Sequence, residues 1–167
     1  MRIILILAGA IVAAASLAGP KRPQLTFEGL GPVRFGMSLA EAERMLGAHK
    51  HSNPNGGGEE GGPCFYADFD AYPGVFFMVE GGKIARAEIP KNWPNVLNLQ
   101  VGMGLRAVRR TYPDAQLSGN QYDPNGHDVL FLSPDRKTAF LVEESAGRLT
   151  SIRAGFVQPV QYIEGCL

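Results

Sequence analysis

The chain has 167 residues, and its 21 Gly and 12 Pro make about a fifth of it helix- and strand-interrupting, which excludes long helices and coiled coils. Apolar residues at 45 % and charged residues at 19 % match ordinary globular usage and exclude a disordered tail or a collagen-like repeat. Sixteen basic residues balance sixteen acidic ones, so no net field draws the whole molecule to nucleic acid or to an anionic membrane.

Met1 and Arg2 precede an apolar run from Ile3 to Ala15, followed by Ser16-Leu17-Ala18. This is the plan of a secretory signal: a positive start, an apolar middle and small residues at the cleavage site. Cleavage after Ala18 is preferred, with Ala15 as the alternative. The stretch is short of the roughly 20 apolar residues of a spanning helix, which favours a cleaved signal over the alternative of a retained anchor, and no membrane span is expected after cleavage. The expected division is a signal over 1–18, a short linker over 19–24, a first repeat over 25–91 with a Gly-rich loop at 53–63, and a second repeat with a C-terminal tail over 92–167. An exported chain resides in the periplasm or outside the cell. There the two cysteines, Cys64 and Cys166, read as one disulfide that ties down the C-terminus.

Laid on itself at an offset of about 66 residues, the chain repeats a pattern. Phe35-Gly36-Met37-Ser38 and Val101-Gly102-Met103-Gly104 each precede a short amphipathic helix. In the first, Ser38 and Glu41 have capping-box spacing, Leu39, Ala42 and Leu46 share a face, and Gly47 ends the helix. In the second, Leu105, Val108 and Tyr112 form the stripe and Pro113 stops it. Strand candidates at Cys64 to Phe69 and Asp128 to Ser133 precede hairpins at Val75 to Ile89, turning at Gly81-Gly82, and at Thr138 to Arg153. The expected fold class is α+β: two tandem repeats, each a short helix or helical hairpin packed on a small antiparallel sheet.

The doubled Gly-Met pattern resembles the tandem-repeat proteins of the β-lactamase-inhibitor-protein class, whose relatives include small outer-membrane lipoproteins of the barrel-assembly machinery. The resemblance implies two small sheets that together offer a concave binding surface. The chain departs from it in having no lipobox Cys and no cysteine pair within each repeat.

Several segments carry residues of chemical potential. The loop Asn53 to Pro63 has five glycines but lacks the Gly-Lys-Ser/Thr ending of a phosphate loop, and reads as a linker. His49 and His51 flank Lys50 without a third ligand in sequence, so no metal and no cofactor is expected. Tyr122 to Asp128 reads as a hairpin turn, although Asp123, Asn125 and Asp128 carry calcium-type oxygens. A small hydrolase using His127 with Asp123 or Asp128 is the enzymatic alternative, and no nucleophile elbow supports it.

A binding face is the preferred reading. With Phe65, Ala67 and Phe69 turned to the helix, Tyr66, Asp68 and Asp70 point outward, Tyr72 follows, and Trp93 is either a surface anchor or a plug between the repeats. Arg106, Arg109 and Arg110 read as a solvated helix face. The expected function is an exported, non-catalytic module that recognises a protein of the cell envelope or extracellular space through an exposed sheet face. An envelope assembly or structural factor is the alternative.

Overall fold

A computed structural model describes residues 22–52, 54 and 57–166. The expected signal over 1–18 and the start of the linker lie outside these residues. In chain order the elements are β1 (Gly29–Leu30), β2 (Val33–Arg34), α1 (Leu39–Leu46), β3 (Lys50–Ser52), β4 (Cys64–Asp68), β5 (Phe76–Glu80) and β6 (Lys83–Glu88). They continue with α2 (Leu105–Thr111), β7 (Gln116–Gly119), β8 (His127–Leu132), β9 (Thr138–Ser145), β10 (Arg148–Phe156) and α3 (Val157–Val160).

Strands β1 and β2 form a small ribbon, and the other eight form one antiparallel sheet in the order β3-β4-β5-β6-β10-β9-β8-β7. This corrects the expected α+β pair of helix-on-sheet repeats. The described residues are mostly sheet, and the helices among them have eight, seven and four residues. The cause is the pairing of β6 with β10, where Arg86 faces Gly155, Ala87 faces Ala154 and Glu88 faces Arg153. That pairing consumes the two edges at which separate sheets would have ended. Gly155 is required there, since a Cβ on it would stand 2.4 Å from the Ala85 carbonyl oxygen.

Alternation along the strands sorts side chains onto two faces. Phe65, Ala67, Phe77, Val79, Ile84, Ala87, Val129, Phe131, Phe140, Val142, Ile152 and Ala154 belong to one buried cluster, which includes Ala42 of α1 and Val108 of α2. Tyr66, Met78, Arg86, Leu141 and Arg153 alternate with these residues and so occupy the opposite face.

Local chemistry explains how the helices are held. The Ser38 amide donates to the Glu41 carboxylate at 2.9 Å and the Ser38 hydroxyl accepts from the Glu41 amide at 3.3 Å, so the capping box forms. The Gly36 amide donates to the Ile84 carbonyl and the Gly102 amide to the Leu149 carbonyl. Both glycines have positive φ, 89° and 92°, a conformation most side chains avoid. The amides of Leu39 and Leu105 then donate to Gly82 and Gly147, which fastens each helix start to a hairpin turn.

Candidate functional site

Beyond β10 the chain turns over the face opposite the helices. Val157 and Val160 pack with Ala139, Leu141, Leu130 and Leu132. Tyr162 and Cys166 pack with Tyr66, Met78 and Ala85, and a Cys64–Cys166 disulfide fixes the end of the segment. An intramolecular disulfide marks a chain that folds in an oxidising compartment, so this is an exported protein.

Two guanidinium groups stand between those apolar patches. The Arg86 Nη1 donates to the carbonyls of Pro159 at 3.0 Å and Tyr162 at 3.2 Å, and its Nη2 donates to the Tyr66 hydroxyl at 2.6 Å. Glu88 approaches the same Nη2 at 3.6 Å. The Arg153 Nε donates to the Val160 carbonyl at 2.8 Å, and its Nη1 to Glu143. Both arginines are buried, and a buried charge is tolerated only with such partners. Burial pushes Arg86 below the ordinary arginine range, partly offset by Tyr66 and Glu88. Burial works to raise the Glu143 carboxyl, but the charge of Arg153 and the hydrogen bond it donates outweigh it and hold the group below the usual carboxylate range. The Nε of Arg86 is buried without a hydrogen-bond partner among the described residues.

The C-terminal segment leaves part of this face open. A polar cleft of about 230 Å³ is bounded by Arg86, Arg153, Glu143 and Glu88 below and by Asn120, Tyr122 and Ile163 at the rim. Ile163 also borders a second groove, of about 350 Å³, running over Leu130 and Leu141 to β7. The Tyr122 hydroxyl donates to Glu164, joining the β7–β8 connection to the C-terminal segment, and that bond raises the tyrosine pKa. Two arginines against two glutamates leave the cleft without net charge. Its demonstrated chemistry is the gripping of main-chain carbonyls, three of them within the C-terminal segment.

The residues expected to form a binding face are not brought together. Alternation places Tyr66 on the face away from the helices, but the C-terminal segment covers it to 1 % exposure. Trp93 is 3 % exposed in the opposite cluster, donates to the Pro23 carbonyl at 2.9 Å and meets Tyr72 edge-on at 5.9 Å. It is a plug, and the surface-anchor expectation for Tyr66 and Trp93 is corrected. Asp68 is half-buried, and exposed Asp70 pairs with Lys50 at 2.5 Å. Arg106, Arg109 and Arg110 are exposed on α2.

The other polar candidates take structural partners. The His127 ring meets the buried Glu144 carboxylate at 2.7 Å, while Asp123 accepts from the Ser145 hydroxyl at 2.6 Å and Asp128 from the Asn120 side chain at 2.9 Å. The His127 pairing with Asp123 or Asp128 invoked for a hydrolase is therefore not the hydrogen bond this ring makes. His49 bonds Glu43 at 2.8 Å, whereas His51 is exposed on β3. No group of three or more His, Cys, Asp or Glu among the described residues is placed to hold a metal ion. No helix among them is long and apolar enough to cross a membrane. Arg86 and Arg153, which the sequence reading missed, carried a signal: each is a lone charge between apolar strand residues, in Ala85-Arg86-Ala87 and Ile152-Arg153-Ala154.

No known protein family and no curated protein matches the chain. Among solved structures it is similar to an extracellular protein containing an SCP domain from Bacillus anthracis strain Ames, at 8 % identity and a TM-score of 0.42. The match covers 93 % of this chain and 51 % of that one, so the chain spans about half the length of that protein.

Proposed function

We propose that this exported protein is a non-catalytic binding module, of the periplasm or the extracellular space, that holds a segment of a partner polypeptide in the cleft and groove beside its C-terminal segment. The observation that carries this reading is the grip of Arg86 and Arg153 on three main-chain carbonyls. Guanidinium groups that already bind peptide oxygen stand at the floor of an open cleft, next to an apolar groove over Leu130 and Leu141. Exposed Tyr122 and Ile163 at the rim supply the apolar contact area that partner recognition favours. The surface differs from the one expected around Tyr66 because the chain's own C-terminus occupies that part of the face.

Site-specific photo-crosslinking in producing cells tests the assignment. A crosslinker at Ile163 is expected to give a discrete adduct with one partner, and the same group at exposed Met45 of α1 is expected to give none. Identical patterns at the two positions, or no adduct at Ile163, would remove the groove as the binding surface.

A further inference from the structure

The sheet has two edges, and they are protected differently. At β3 the edge carries Lys50, paired with Asp70, and charge on an edge strand discourages pairing with another chain. At β7 the four residues Gln116-Leu117-Ser118-Gly119 are all exposed, none is charged and none is Pro. Leu117 leaves 38 % of its surface in water.

Register fixes which main-chain groups of β7 are free. The Asn120 amide donates to the Gly126 carbonyl, continuing the register in which Gln116 faces Leu130 and Ser118 faces Asp128. In an antiparallel ladder, bonded pairs alternate with unbonded ones, so Gln116, Ser118 and Asn120 point their N–H and C=O groups at β8. The neighbouring ladder agrees: the Ser133 amide donates to Thr138, which turns the odd-numbered residues of β8 toward β9 and the even-numbered ones toward β7. Leu117 and Gly119 therefore direct their N–H and C=O groups outward, to no strand among the described residues.

We propose that β7 pairs antiparallel with β7 of a second copy of this chain about a two-fold axis at Ser118. The free groups are spaced for it. Leu117 of each copy faces Gly119 of the other as a bonded pair, giving about four N–H···O bonds in all, and Ser118 faces Ser118 as the unbonded pair between them. Leu117 and Gly119 share the helix-bearing face, so the exposed leucine of one copy lies over the bare glycine of the other. A Cβ on Gly119 would meet nothing within 4 Å in the single chain, which leaves that space open. The opposite face brings together Gln116 and Asn120, which are uncharged. The two sheets become one, and the groove over Leu130 and Leu141 of each copy lies beside the axis. The contact is small, so the dimer is a concentration-dependent one.

Sedimentation velocity over a concentration series tests this. The wild-type protein is expected to approach twice the monomer mass as concentration rises. The double variant Leu117→Pro/Gly119→Pro deletes only outward donors, positions at which edge strands tolerate Pro, and is expected to weaken dimerisation by about 30-fold or more at an unchanged melting temperature. Independently, Ser118→Cys is expected to give a disulfide-linked dimer on mild oxidation, since directly opposite Cβ atoms lie about 4.5–5.5 Å apart. The same change at exposed Gln121 is expected not to crosslink. A wild-type protein that stays monomeric throughout overturns the proposal, as does a dimer untouched by the double proline change or equal crosslinking from positions 118 and 121.

Discussion

On one face of the sheet Phe65, Phe77, Phe140 and Ile152 lie in a single apolar cluster beneath α1 and α2; on the other, Arg86 and Arg153 stand between two small apolar patches beneath the segment 157–166. The first face is closed by area, which is non-directional and tolerates shifts of neighbouring side chains. Closure of the second adds to its two small apolar patches a few directed bonds and one disulfide, each with a fixed geometry. The difference separates the parts of the molecule that determine whether it folds from those that determine what its surface offers. A change beneath the helices should cost global stability. One beneath the C-terminal segment should loosen that segment first.

The largest expected effect is therefore Phe77→Ala, which empties a fully buried site in contact with Phe69. It should cost about 4 kcal/mol by denaturant unfolding, with all probes moving together. Arg86→Met should cost about 2 kcal/mol, less because Arg86 itself lines a cleft from which water can reach the partners it leaves. Its signature is local: amide exchange should accelerate over 157–166 and stay slow in β5 and β9. An Arg86 loss as large and as global as that of Phe77 would break the distinction between the faces.

The parts legible in the sequence are those whose cause is local or unique. The capping box of Ser38 and Glu41, the Gly81-Gly82 turn and the stop before Pro113 each depend on a few neighbouring residues, and α1, the β5–β6 hairpin and α2 form where they imply. The disulfide was legible because an exported chain with two cysteines offers one internal pairing. Strands β3 and β7 were not, since Lys50-His51-Ser52 and Gln116-Leu117-Ser118-Gly119 carry little alternation and are strands because β4 and β8 lie beside them. The merging of the sheets depends on residues 86–88 meeting 153–155, a long-range choice to which no local propensity points. Tyr66 shows the same limit: its face followed from alternation, but its cover comes from the distant C-terminus.

The finest test of the comparison is acid. Glu143 borders the cleft, and its carboxyl is held below the usual range because the charge of Arg153 and the hydrogen bond it donates outweigh the effect of burial. A depressed folded-state pKa means that the stabilisation is fully present above the unfolded value of about 4.3 and is lost as pH falls through the folded value. Stability should therefore decline below about pH 4.3, and the part owed to Glu143 should be missing from Glu143→Gln, whose melting temperature should change less between pH 6 and pH 3 than that of the wild type. The loss should appear first as faster amide exchange over 157–166, because protonating Glu143 removes the charge partner of Arg153 while the Val160 carbonyl still holds its Nε. If acid instead loosens α1 and α2 at the same pH as the C-terminal segment, the two faces do not respond separately and the charge cluster is an ordinary part of one cooperative core.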